Sequence, residues 1–209
     1  MEFGEVLRRR KMVRTYTSDR VDPDVLDRIL DRARRAPSAG FSQGVSFLVL
    51  SGPEETARFW EAARDPEEAE WPGPGMLAAP VLVVPMAAKD VYLDRYAEED
   101  KGWADRDEGR WPVAYWLVDA AFASMVLLLA AVDEGLGALF FGLVGEGFSR
   151  VQAAFAVPAA REPIGVIALG HPAAVDPVRS SAHTRPRLAL EEIVHRGRWR
   201  EPGDASRDA

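Results

Sequence analysis

A single domain of the α/β or α+β class is predicted by three observations. The 209 residues are 47% apolar, enough for one substantial core but hardly two. Apolar runs of strand length, Ser46–Ser51 (SFLVLS), Pro80–Ala87 (PVLVVPMA), Gly137–Leu143 (GALFFGL) and Pro163–Gly170, are interspersed among more numerous stretches of helical periodicity. No internal repeat, linker or low-complexity block divides the chain, so 1–209 reads as one unit.

Taken in order, residues 2–10 carry Phe3, Val6 and Leu7 at helical spacing, and arginines follow as that helix ends. A second helix begins at Asp22, a suitable N-cap, with Pro23 in its first turn. Val25, Leu26, Ile29, Leu30 and Ala33 form its apolar face, and it must stop before Pro37. A short helix is expected around Thr56–Ala63. Two irregular acidic stretches, 65–75 and 89–112, carry Trp71, Tyr92, Tyr96, Trp103 and Trp111; such aromatics either cover a pocket or pin the loops to the body. The longest helix, roughly Val113–Glu134, is apolar on all sides at its centre and needs neighbours all round, which points to a helix shared across a homodimer interface. Gly135 ends it. After the strand at 137 comes a loop with Gly142, Gly145 and Gly147, then a helix around Phe148–Ala156. The tail closes in a short amphipathic segment, and residues 203–209 are expected to fray.

The net charge of −7 argues against a general attraction to nucleic acid or anionic membranes, so anion binding must come from local basic clusters. The absence of cysteine removes disulfides, thiolate metal sites and a thiol nucleophile, and a cytoplasmic setting is expected. Met1 runs directly into charged residues, unlike a secretory signal, and the apolar stretch Ala120–Val132 is short for a bilayer crossing. His171, His183 and His195 lack metal-ligand spacing. Gly135-x-Gly137 follows a helix and enters a strand, the reverse of a dinucleotide fingerprint, and no phosphate-binding Walker sequence or nucleophile elbow is present. No pair of carboxylates stands out as acid and base. Chemistry supplied by a bound organic cofactor is then the economical reading. Arg10, Lys11 and Arg14 near one end of the chain and Arg185 and Arg187 near the other are each compact enough to converge on one phosphate, or are ordinary solvated charges.

The motifs and their order resemble the nitroreductase family of FMN enzymes. Family members open with a helix ending in Arg-x-x-x-basic, matched by Arg10–Arg14 and followed by the aromatic Tyr16. They continue with Pro-Ser-x-x-Asn-x-Gln, partly matched by Pro37–Gln43. Next come a long helix closing in Gly-Leu-Gly (Gly135–Gly137) and a late strand ending in Leu-Gly-x-Pro (Leu169–Pro172). A terminal Arg-x-x-Leu-Glu-Glu segment (Arg187–Glu192) completes the series.

The resemblance implies an α+β fold, helices flanking a mainly antiparallel sheet with a long buried central helix at the dimer interface. It implies that Arg10, Lys11 and Met12 line the FMN phosphate and ribityl end, that Arg14 reaches the ribityl or pyrimidine side, and that Arg185 and Arg187 complete the phosphate grip. Pro37, Ser38 and Ala39 would come from the other subunit, with Phe41 and Gln43 in the same turn. A backbone N–H near Gly142 and Leu143 would approach the flavin N5. Two residues depart from the pattern: Phe41 stands where the family has Asn, and Met12 where it often has Ser. The implied activity is ping-pong hydride transfer from NADH or NADPH to a small electron-poor acceptor such as a nitroaromatic, quinone or activated alkene. The alternatives are a specialised flavoenzyme of the same fold, a dehydrogenase, dehalogenase or flavin-fragmenting enzyme, and a non-catalytic flavin-binding protein.

Overall fold

The computed structural model of the chain describes residues 1–65, 71–175 and 181–199. The chain divides into a body, residues 1–176, and a C-terminal segment, residues 177–209, and each is described by itself. In order, the body contains α1 (Phe3–Arg9), α2 (Pro23–Ala33), β1 (Val45–Ser51), α3 (Pro53–Ala63), α4 (Pro74–Leu77), β2 (Val81–Ala87), α5 (Lys89–Ala97), α6 (Tyr115–Asp133), β3 (Gly137–Phe141), α7 (Gly147–Ala154), β4 (Glu162–Pro163) and β5 (Val166–Gly170). The segment contributes α8 (Leu190–Ile193).

The sheet is antiparallel throughout, in the order β1-β2-β5-β3, with β4 pairing β2. Every residue of β2 is buried, which explains its unbroken apolar run: it is a central strand covered on both faces. Successive side chains along β2 alternate between two cores. Val81 and Val83 join Ile29, Leu127, Ala131 and Ile167 beneath α2 and α6. Leu82 and Val84 join Leu50, Phe59, Trp60 and Val151 beneath α3 and α7.

The caps read from sequence are present. Asp22 accepts the Asp24 N–H at 2.8 Å, and Pro23 sits in the first turn of α2. At the end of α6, Gly135 takes a left-handed φ of 80°. The Leu136 N–H then reaches back to Ala131 O at 2.8 Å, closing the helix and turning the chain into β3. Gly137 is a glycine for another reason: a Cβ there would lie 2.9 Å from the Val13 side chain.

Several expectations are corrected. The 89–112 stretch is not wholly irregular, since α5 occupies its first third. In 65–75 the chain enters α4, while 66–70 lie outside the described residues, as do 203–209. The late strand is two, β4 and β5. The α6 helix is 19 residues, long and apolar enough to cross a bilayer by length and composition, yet half buried in the fold against α2 and the sheet. As its all-round apolar centre predicts, the protomer by itself does not enclose it. Tyr115, Phe122 and Met125 are exposed at 40–48%, and α1, which also packs on α6, exposes Phe3 and Leu7.

Candidate functional site

The basic segment leaves the end of α1, where the Arg10 N–H closes the last turn on Val6 O at 2.9 Å. Arg8 is taken up by Glu5 at 2.6 Å, but Arg10 and Lys11 form no ion pair among the described residues. Met12, half-buried, bridges to Ala138, and the Val13 N–H donates to Ala138 O at 3.0 Å, so this segment is laid on the start of β3. Arg14 folds back, donating from Nη1 to Met12 O at 3.3 Å. The buried Tyr16 hydroxyl donates to Val13 O at 2.7 Å and fixes the path.

The 37–44 turn is built quite differently. Gly40, Phe41 and Gln43 all have left-handed φ values, 60°, 55° and 57°. For two L-residues this is a conformation that persists only when the surroundings impose it. The turn's own bonds include Phe41 N to Ser38 O at 2.9 Å, Ser42 N to Ala39 O at 3.1 Å, Ser42 Oγ to Ala39 O at 2.6 Å and Gln43 N to Ser38 Oγ at 3.1 Å. From outside, Asp119 Oδ2 accepts the Ala39 N–H at 2.8 Å and the Tyr92 hydroxyl at 2.8 Å. Arg95 Nε donates to Gly40 O at 3.0 Å. The Tyr96 ring lies so close over Gly40 that a Cβ would sit 2.6 Å from it. Burial, and then the bond to Asp119, push the Tyr92 phenol well above the ordinary tyrosine range, so it stays a proton donor. Pro37, Phe41 and Gln43 are exposed, Phe41 to 76%.

At the far end of β3, Gly142 is exposed with open space where a Cβ would stand, while Leu143 packs against the core. The adjoining Phe141 ring stacks on Trp60 at 5.7 Å and meets Trp71 edge-on at 5.9 Å. The indole N–H groups of Trp60 and Trp111 are buried and find no acceptor among the described residues. Arg185 and Arg187 are exposed in the C-terminal segment, where the Arg185 N–H donates to Ser181 O at 2.9 Å.

Within the body, the basic segment and the 37–44 turn are not brought together. The turn is held at Asp119, near the start of α6, whereas Val13 sits against residues that follow its end. The helix length between Asp119 and Asp133 is about 20 Å. Of the residues that hold the turn, sequence reasoning missed Asp119 and Arg95; Tyr92 and Tyr96 were singled out as aromatics that cover a pocket or pin loops, without the turn as their target. Asp119 did carry a signal, as the one charged side chain inside the apolar run of α6. The aromatic stretch from Tyr92 to Trp116 forms a contiguous cluster, with Trp111 touching Tyr92, Tyr96, Trp103, Tyr115 and Trp116. It underlies the turn and anchors it. Elsewhere, a cavity of about 590 Å³ opens beside the start of α3, lined by Arg20, Thr56, Trp60, Leu77 and Pro80. It involves none of the candidate cofactor-binding residues. Among the described residues no cluster of His, Asp and Glu could hold a metal.

Comparison with known proteins agrees with this architecture. The chain is 28% identical over 175 residues, 83% of its length and 78% of the relative's, to a Methanothermobacter thermautotrophicus protein provisionally named NADH dehydrogenase/NAD(P)H nitroreductase. It is 22% identical over 193 residues, 91% of its length and 72% of the relative's, to the FMN reductase (NADPH) of Bacillus subtilis. The fold matches that of a nitroreductase family protein of Streptococcus pneumoniae with a TM-score of 0.71 at 21% identity, covering 93% of this chain and 99% of that one. Residues 7–171 match the Nitroreductase family, and the chain belongs to that family.

Proposed function

We propose that the protein is an FMN-dependent oxidoreductase that draws on NADH or NADPH, works by a ping-pong cycle and acts as a homodimer with FMN at the interface. The observation that carries this reading is the separation of the basic segment from the 37–44 turn along α6. A second copy laid antiparallel on the exposed face of α6, where Tyr115, Phe122 and Met125 lie, brings the turn of one protomer toward the basic segment of the other.

The residues present suit FMN. Arg10 and Lys11, unpaired among the described residues, supply cations for a phosphate, and we assign Arg185 and Arg187 to the same phosphate. Arg14 and Met12 would border the ribityl and pyrimidine side. The open space at Gly142 lets a flat ring approach the backbone, and the amides at Gly142 and Leu143 would orient it. Pro37, Ser38, Ala39, Phe41 and Gln43 would close the site from the neighbouring subunit. Bound FMN supplies transfer of a hydride from NADH or NADPH to an electron-poor acceptor such as a nitroaromatic, a quinone or an activated alkene. The Bacillus subtilis relative named FMN reductase (NADPH) supports the same cofactor.

The test is the visible spectrum of the purified protein after FMN addition and desalting, followed by anaerobic NADH and NADPH. Retained flavin absorbance that bleaches on reductant addition is the expected result. Flavin that stays oxidised would replace this reading with a specialised or sequestering member, and no retained flavin would overturn it. Arg10→Ala combined with Arg187→Ala is expected to give colourless protein that still sediments as a dimer.

A further inference from the structure

Asp119 is 3% exposed and lies on a helix whose other buried residues are apolar or small. Both of its hydrogen bonds converge on one oxygen, and both come from neutral donors, the Ala39 N–H and the Tyr92 hydroxyl. Among the described residues no cation pairs with Asp119, so what it supplies is position. What it positions is unusual: a phenylalanine with a left-handed φ and a ring 76% exposed. An aromatic ring left in water contributes nothing to the core, and the left-handed backbone is unfavourable for it. Yet the turn is over-determined from three sides, by Asp119, by Arg95 on Gly40 O, and by the Tyr96 ring against Gly40. Strain maintained in this way at an exposed aromatic marks a presented side chain.

We infer that Asp119 is a positioning residue that, through Ala39 and Tyr92, locks the 38–43 turn so that Phe41 stands as the aromatic wall against which a planar, electron-poor acceptor stacks. The electron-rich face of the phenyl ring suits such an acceptor better than a small non-aromatic one. This rests on the oxidoreductase reading above.

The first arm of the test needs no flavin. Hydrogen exchange of the 37–44 peptide is compared in the full-length wild type, Asp119→Ala, Asp119→Asn and Tyr92→Phe. Exchange in Asp119→Ala is expected to rise about tenfold or more, reflecting local opening of the turn. Asp119→Asn should stay near wild type, because a single amide oxygen can accept both bonds. Tyr92→Phe, which keeps the Ala39 bond, should fall between and serves if Asp119→Ala does not fold. Unchanged protection in both Asp119→Ala and Tyr92→Phe overturns the lock.

The second arm uses the FMN-loaded enzyme. Phe41→Ala and Asp119→Ala should each raise KM for a nitroaromatic about tenfold relative to a non-aromatic activated alkene. Phe41→Tyr should restore the ratio, and the double variant should be no worse than Asp119→Ala, since both act through one ring. An unchanged ratio in Phe41→Ala, or additive effects, overturns the wall. A wild type that retains no flavin would instead overturn the oxidoreductase reading, while the exchange result would still decide whether Asp119 holds the turn.

Discussion

The two ends of α6 both use carboxylates, with opposite physics. Near its start, Asp119 is buried, has only neutral donors and fixes the backbone of a neighbouring turn. At its end, Asp133 and Glu134 are half-buried at the surface and meet charges: Arg32 pairs with both at 2.9 Å, Arg28 with Glu134 at 2.9 Å, and the Met1 amine with Asp133. Two negative groups at a helix C-terminus oppose the macrodipole, and these cations offset that. The amine hydrogen bond holds Asp133, and the Arg28 hydrogen bond holds Glu134, below the usual carboxylate range. The contrast teaches that a buried acceptor shared by neutral groups dictates shape, whereas a surface ion network with solvated arginines adjusts stability by small, salt-sensitive amounts.

The strongest way to break this comparison is Asp119→Leu, which leaves the Ala39 amide and the Tyr92 hydroxyl without their acceptor. A loss of about 2–4 kcal/mol is expected by urea unfolding, and a loss under about 0.5 kcal/mol would mean the turn is held without Asp119. Next comes Gly40→Ala, which puts a methyl 2.6 Å from the Tyr96 ring at a φ of 60°. It should cost about 1–2 kcal/mol and raise exchange in 37–44 without touching α1. The smallest effect is at the other end. Asp133→Asn should change stability at neutral pH by no more than about 0.5 kcal/mol.

The sign of the pH dependence at that end is fixed by the direction of the shifts. Because the folded carboxylates are depressed, their contribution is complete above the unfolded value near pH 4 and is lost as pH falls through the lower folded values. Wild type and Asp133→Asn unfolding midpoints should therefore converge below about pH 4, or in high salt at neutral pH. A gap that widens on acidification would contradict the ion-network account.

Much of the fold was legible because it followed local rules. Asp22 and Pro23 announced α2, Gly135 announced the end of α6, and the unbroken run in β2 announced a strand covered on both faces. The basic segment and the Pro-Ser turn were legible as motifs. Their supports were not, because Asp119 meets Ala39 across a gap of 80 residues that no periodicity encodes. The 89–112 stretch read as irregular because α5 is only weakly amphipathic, with Tyr92, Tyr96, Trp103 and Trp111 chosen for contact with one another rather than for one helical face. That α6 needs more neighbours than one protomer supplies was legible from its all-round apolar centre, but which side chains the protomer leaves bare, Tyr115, Phe122 and Met125, was not, since periodicity is lost where every face is apolar.

If the proposed dimer forms on that bare stripe, protein concentration becomes a variable of cofactor chemistry. If a second copy seats on Tyr115, Phe122 and Met125, and each copy lends its Phe41 turn to the other's site, then dissociation of the pair dismantles two sites at once. Flavin occupancy would then fall with dilution by mass action even in a large excess of free FMN, and added FMN would in turn draw protomers together. A titration of flavin fluorescence against protein dilution would read both processes on one curve.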